Sequence, residues 1–191
     1  MTIGALDGLI CEEHGWLAHV GFHESGHAVA AIVLGIEFVE VSIHPGHITF
    51  QTMLNGTGAE AGGILMPTDR PREWAGHRAE DALVFTMAGS LSEKTFLGHF
   101  LLNGWKGDME MWRKGTGRTA AQDSAELRPV LDVANQRAIV LLNENREAIL
   151  RVYGLFVQQV PHEGYQHFGF DEPLTLSYDE VRAAVLGDGG A

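Results

Sequence analysis

The 191 residues contain one cysteine, Cys11, so no intramolecular disulfide can form and a reducing compartment is expected. Basic residues are also scarce. Thirteen Lys and Arg stand against 25 Asp and Glu, a formal net charge of −12. Neutralising phosphates needs a basic surface, so the balance argues against nucleic acid and against docking on anionic lipid. Long apolar runs are missing: the best, Ala28 to Gly35, falls far short of the ~20 residues that span a bilayer. Glu12, Glu13 and His14 interrupt an N-terminus that lacks the basic start and apolar run of a signal peptide. A soluble, cytoplasmic protein with no membrane partner is expected. The phosphate-binding pattern G-x-x-x-x-G-K-[ST] does not occur.

What is present suits a packed core. With 45% hydrophobic and 20% charged residues and no repeats or linkers, the chain reads as one domain over 1–191. Residues 1–15 form a lead-in and 187–191 a frayed tail. Ten histidines are a high count and point towards metal chemistry, although any one of them taken alone is better read as a surface or capping residue.

The pattern predicts a helix from Trp16 to Leu34, capped by Gly35. Phe38 to Ile43 alternates as a strand does, His44-Pro-Gly-His47 is a turn, and Ile48 to Gln51 and Gly63 to Met66 read as two further strands. A helix runs from Glu73 or Arg78 to Leu97, closed by Gly98. Asn103-Gly104 signals a turn, and Asp108 to Lys114 reads as a short helix ended by Gly115. Asp123 to Glu126 forms a capping box before one long helix that ends near Gln159, Pro161 to Pro173 is loop, and Ser177 to Glu180 caps a last helix to Leu186. The expected class is α+β, predominantly helical, with a small three-stranded sheet and a helical C-terminal bundle.

Chemistry concentrates in His23-Glu24-Ser25-Gly26-His27. Residues four apart share one face of a helix, so His23 and His27 can aim two imidazoles at one metal. Glu24 beside them is placed to deprotonate a water activated by that metal. In a chain of this composition the pattern arises by chance about four times in a hundred, and here it falls inside an independently predicted helix. A third ligand is required. No His stands six residues after His27, where Val33 sits, which leaves Glu93, Asp108, Glu110, His77 and His99. Asp108 follows a Gly-rich turn and opens a helix; Glu93 lies on the helix expected to pack against the motif.

These residues resemble a known family. Phe22-His-Glu-Ser-Gly-His-Ala28 is similar to the H-E-A-G-H-A signature of the FtsH-type ATP-dependent zinc metallopeptidases. Val39 to Pro45 resembles the family's strand leading to a proline, and Gly62 to Pro67 its following short strand. Met87-Ala-Gly-Ser-Leu-Ser-Glu93 through Gly98 resembles the helix that carries G-G-R-A-A-E. Asn103-Gly-Trp-Lys-Gly-Asp108-Met resembles T-G-A-S-N-D-L, and Ala138 to Arg146 and Leu174 to Glu180 resemble the C-terminal helices. The resemblance runs from Val20 to Leu186 in family order. It implies a Zn2+ ion held by His23, His27 and Asp108, with Glu24 as catalytic base. It also suggests that Gly62, Gly63, Ile64, Leu65 and Met66 form an edge strand on which a polypeptide substrate is laid out.

Departures accompany it. About twenty residues precede the motif and no ATPase signature is present, so an ATPase or unfoldase partner in trans is expected for folded substrates. Ser90-Leu91-Ser92 replaces the family's basic and small residues, which bears on local packing or homo-oligomer contacts. The loop from His162 to Asp171 is longer than expected. Glu93 is placed to orient a ligand histidine through its free ring N–H. His19, one turn before His23, lies too far along the axis to share the metal with both others and reads as surface. His44 and His47 read as turn residues, His77, His99, His162 and His167 have no partner spacing, and Trp105 and Trp112 read as packing. The expected function is a zinc metallopeptidase acting on unfolded or flexible polypeptides. A non-proteolytic zinc-containing binding module and a zinc hydrolase of a non-peptide amide are the alternatives.

Overall fold

A computed structural model describes residues 15–44, 62–65, 79–117, 127–160 and 172–187. Nine elements follow in order: α1 (Trp16–Leu34), β1 (Glu40–Ile43), β2 (Gly62–Leu65), α2 (Ala79–Leu97), α3 (Leu102–Thr116), α4 (Leu127–Glu144), α5 (Arg146–Gln159), β3 (Leu174–Ser177) and α6 (Tyr178–Leu186). The molecule is predominantly helical α+β. Among the described residues, no helix is long and apolar enough to cross a membrane.

Helix α1 is the central element and is buried on nearly every side. Ala28, Val29, Ala30 and Ala31 are wholly inaccessible. Their small side chains let α2, α4, α5, α6 and the sheet all approach it. Gly35 ends the helix in the left-handed conformation at φ 66°. Its N–H donates to Ile32 O and that of Ile36 to Ala31 O, the paired bonds that satisfy the last free carbonyls. The closest approach is to α2. A Cβ on Gly26 would stand 2.5 Å from Ser92 Cβ and 2.6 Å from the Ala88 carbonyl oxygen, so only glycine fits between these two helices. Small residues at Ala88 and Ser92 thus set the spacing of the two helices.

The sheet has three antiparallel strands in the order β2-β1-β3. Val41 faces Ile64 on one side and Leu176 on the other, and Ile43 faces Gly62 and Leu174. Val41, Ile43, Leu174 and Leu176 are buried and lay one face of the sheet on the core. The membership differs from the sequence reading. Leu174–Ser177 supplies a strand where that reading placed a helix cap at Ser177 and likened Leu174 to Glu180 to a C-terminal helix, while Ile48 to Gln51 and Met66 lie outside the described residues. The physical signal for β3 was the alternation Leu174, Leu176 against Thr175 and Ser177, too short to stand out beside Pro173.

Two further boundaries are corrected. The single long helix up to Gln159 is two helices, broken at Asn145, whose backbone leaves the helical region (φ −110°, ψ 22°) while its side-chain amide donates to Leu141 O. Helix α3 begins at Leu102, so Asn103 and Gly104 are helical, Asp108 lies inside the helix, and Gly117 rather than Gly115 caps it at φ 67°. The capping box at Asp123 to Glu126 lies outside the described residues. That at Ser177 is present: Ser177 Oγ accepts from Glu180 N–H, and the Glu180 carboxylate accepts from Ser177 N–H.

Candidate metal centre

Three helices build the site. His23 and His27, one turn apart on α1, face α2 and α3, and α3 brings Asp108 to meet them. His23 Nε2 lies 3.1 Å from His27 Nε2 and 3.1 Å from Asp108 Oδ2, and His27 Nε2 lies 3.3 Å from the same oxygen. All three residues are buried, and together they could hold a metal ion.

The protonation pattern makes this triangle informative. His27 Nδ1 is 2.8 Å from Phe85 O, and a carbonyl only accepts, so Nδ1 carries the hydrogen and Nε2 of the neutral ring is a bare lone pair. His23 Nδ1 lies 2.6 Å from Glu93 Oε1 and donates to that carboxylate, so in its neutral ring Nε2 is the lone pair. Asp108 Oδ2 is buried and accepts no hydrogen bond. With both rings neutral, three lone-pair atoms converge, an arrangement that a cation satisfies: a metal ion, or a proton shared between His23 Nε2 and Asp108. A tetrahedral ion with ligand bonds of 2.0–2.1 Å separates its ligands by about 3.3–3.4 Å. The observed edges come within about 0.3 Å of that, so the donor set and its spacing fit.

Glycine keeps the space open. A Cβ on Gly89 of α2 would lie 2.4 Å from His27 Nε2 and 2.7 Å from His23 Nε2, inside the triangle's near face. One on Gly104 of α3 would press to 3.1 Å from His23 Cε1. Gly104 read from sequence as a turn residue; its neighbour in space explains it better than its neighbours in the chain.

The electrostatics follow from burial and proximity. Burial opposes ionisation of Asp108, but the pull of the adjoining His27 and His23 rings outweighs it and holds its carboxyl well below the ordinary range. Burial likewise disfavours an imidazolium at His23, yet the Asp108 and Glu93 carboxylates win and raise it well above its usual value. Glu24 differs. It is 5% exposed and makes no hydrogen bond or ion pair among the described residues. Burial pushes its carboxyl up to about 7, against the opposing pull of His23 and His27. A carboxylate poised near neutrality can both take and return a proton.

Behind the triangle stands Glu93, fully buried. Burial would raise its carboxyl, but hydrogen bonds from His19 and His23 lead the opposing effects and lower it. His19 is the site residue that the sequence reading missed. It is not on the surface but 0% exposed, with Nδ1 2.9 Å from Glu93 Oε2 and its ring stacked on His99 at 5.3 Å. No local signal marked it, since its partner lies 74 residues away. Of the other candidate ligands, Glu110 is exposed, His99 stacks on His19 away from the triangle, and His77 lies outside the described residues. Trp112 is buried packing, whereas Trp105 is 40% exposed. His44 reaches Ser42 Oγ at 3.1 Å, and His47, His162 and His167 lie outside the described residues.

Comparison of the chain with protein-family models and with curated proteins gave no match.

Proposed function

We propose that this chain is a zinc metallopeptidase, similar to the peptidase domain of FtsH-type enzymes, that hydrolyses peptide bonds in unfolded or flexible polypeptides. The observation that carries the reading is the convergence of three potential ligand atoms, His23 Nε2, His27 Nε2 and Asp108 Oδ2, beside a buried glutamate that has no partner among the described residues. His23, His27 and Asp108 would hold the ion. Zinc bound there supplies Lewis acidity and lowers the pKa of water to about 7. Glu24 accepts the proton released from the water and returns it to the departing amine, a role its near-neutral pKa suits. Glu93 holds the His23 ring in place through Nδ1.

Strand β2 supports a mode of substrate binding. It sits at one end of the order β2-β1-β3, with no partner beyond it among the described strands. An extended polypeptide could hydrogen-bond along Gly62, Gly63, Ile64 and Leu65 and continue past Met66, fixing its main chain without reading its side chains. An ATPase partner acting in trans, as the source of unfolding for folded substrates, is part of the same reading. The lone cysteine fits a reducing, cytoplasmic setting, which belongs to the same reading. Homo-oligomerisation, as the resemblance suggests, is part of the same reading.

The test is Glu24→Gln. The variant is expected to retain one zinc per chain while cleavage of a casein-type substrate falls by about 10²–10⁴-fold. Cleavage by the variant at the wild-type rate would sink the mechanism. A wild-type protein that holds stoichiometric zinc yet cleaves no polypeptide would point instead to a binding module or to a non-peptide amide substrate.

A further inference from the structure

We propose that His19 is a positioning residue for the metal centre, acting through Glu93 on both His23 and the helix that carries Asp108. The inference rests on the reading of His23, His27 and Asp108 as metal ligands. The Glu93 carboxylate is held by donors from two sides. Oε1 accepts from His23 Nδ1 at 2.6 Å. Oε2 accepts from His19 Nδ1 at 2.9 Å and from Leu101 N–H at 3.0 Å. A carboxylate is planar, so anchoring Oε2 fixes where Oε1 lies and hence where the His23 ring points.

Leu101 is the residue from which α3 starts, and it has no side-chain cap of its own. The bond from its N–H to Glu93 therefore ties the beginning of α3 to the same carboxylate that orients His23. Asp108, two turns on, is placed by that helix. One buried side chain thus joins all three helices of the site, and of its three donors among the described residues His19 alone is neither a proposed ligand nor backbone. His19 lies one turn before His23 on the same helix, so two histidines of α1 grip the two oxygens of one glutamate. Packing fixes His19 in turn: it is 0% exposed and lies against the His99 ring.

Removing His19 should leave the ligands present and their aim loosened. Supporting hydrogen bonds one step from a ligand are each worth about 10–100-fold in metal affinity. His19 acts one step further out, so a loss of about tenfold is expected, against up to about 100-fold for Glu93→Ala. The discriminating pair is His19→Asn and His19→Gln. Asparagine places an N–H donor near the position of Nδ1, whereas glutamine places its donor near Nε2, which points away from Glu93. Both fill the site better than alanine and both are expected to fold.

Zinc affinity is measured by competition with a chromogenic chelator, and the visible spectrum of the cobalt-loaded protein reports ligand geometry independently of any activity. We expect His19→Asn to match the wild type in both readouts, and His19→Gln to bind about tenfold more weakly with a shifted cobalt spectrum. Equal affinity and equal spectra for the two variants would overturn the role of His19 and leave the metal site standing. A wild-type protein that binds neither zinc nor cobalt would remove the site itself.

Discussion

The helices of the site and the C-terminal helices both bury apolar side chains, but only the former also bury polar and charged ones among the described residues. His19, His23, Glu24, Ser25, His27, Thr86, Ser90, Ser92, Glu93 and Asp108 are buried polar or charged residues, and all lie on α1, α2 or α3. Helices α4 to α6 and the strands bury none among the described residues; their interior is Leu127, Ala134, Ala138, Leu142, Ala148, Ile149, Val152, Phe156 and Val181. Burying a polar group without a partner costs a few kcal/mol, and burying a charge costs more. The first three helices carry that cost in one place, and their packing is tight enough that Gly26 and Gly89 admit no Cβ. Apolar burial offsets it, contributed by these helices themselves as well as by α4 to α6. The difference teaches that the polar site is localised while apolar burial is shared, so a core substitution far from the site should cost stability without touching the site.

The largest expected effect tests that separation from the site side. Gly89→Ala puts a methyl group 2.4 Å from His27 Nε2 and 2.7 Å from His23 Nε2. The rings must turn away, and zinc affinity should fall by more than the ~100-fold typical of a lost supporting contact. Helical content by circular dichroism should stay at the wild-type level. Retained affinity would mean that α2 is set further from α1 than the structure places it. From the other side, Phe156→Ala empties a fully buried site on α5. Urea unfolding should show a loss of about 3–5 kcal/mol, with zinc affinity of the folded protein unchanged. A parallel drop in affinity would show that the two regions are coupled after all.

The same division explains what could be read from the sequence. Helix α1 was legible to its last residue because its signals are local: apolar spacing, then a glycine that takes φ 66°. The candidate ligands His23 and His27 were legible for the same reason, since four residues of one helix bring them together. Asp108 was not. Spacing left it one of five candidates, and only the family resemblance singled it out, because 81 residues of chain separate it from His27 and tertiary packing alone joins them. His19 was misread for the same reason, its partner Glu93 being a residue of another helix. Gly104 misled the reading of α3. A glycine beside Asn normally marks a turn, but here it makes room for an imidazole. The break at Asn145 escaped because the apolar spacing of α4 and α5 continues across it.

A pH series on protein stripped of metal distinguishes the two regions at smaller cost in stability. The folded Glu24 carboxyl titrates near 7 while its ordinary value is 4.5, so the folded state keeps a proton that the unfolded state has lost. Stability therefore falls as pH rises from about 4.5 to 7. His23, raised above 6.5, contributes stability that is complete below 6.5 and is lost as pH climbs through its folded value. Asp108 and Glu93 act in the other direction at lower pH, below their ordinary values of 3.8 and 4.5. Urea midpoints should thus decline from about pH 5 to 8, and Glu24→Gln should remove the part of the decline below 7 while leaving the rest. An identical profile for the variant would show that Glu24 is not buried as an uncompensated carboxyl.

The smallest effect belongs to the far end, at the cap of α6. Ser177 and Glu180 exchange hydrogen bonds that satisfy two free N–H groups, and the Ser177 hydroxyl also donates to the Glu180 carboxylate at 2.7 Å. The hydroxyl and backbone bonds hold the Glu180 carboxyl below its ordinary 4.5. A depressed carboxyl contributes stability above its unfolded value and loses it as pH falls through the folded one. Glu180→Ala should cost about 1 kcal/mol at neutral pH, and the gap from wild type should close once the solution is acidic enough to protonate Glu180 in both states. Because the side chain is solvent-exposed, the gap should respond to acid without any change in zinc affinity at neutral pH. If the gap persists undiminished in acid, the ionised carboxylate is not what caps the helix, and the stability of this end rests on apolar packing around Val181 alone.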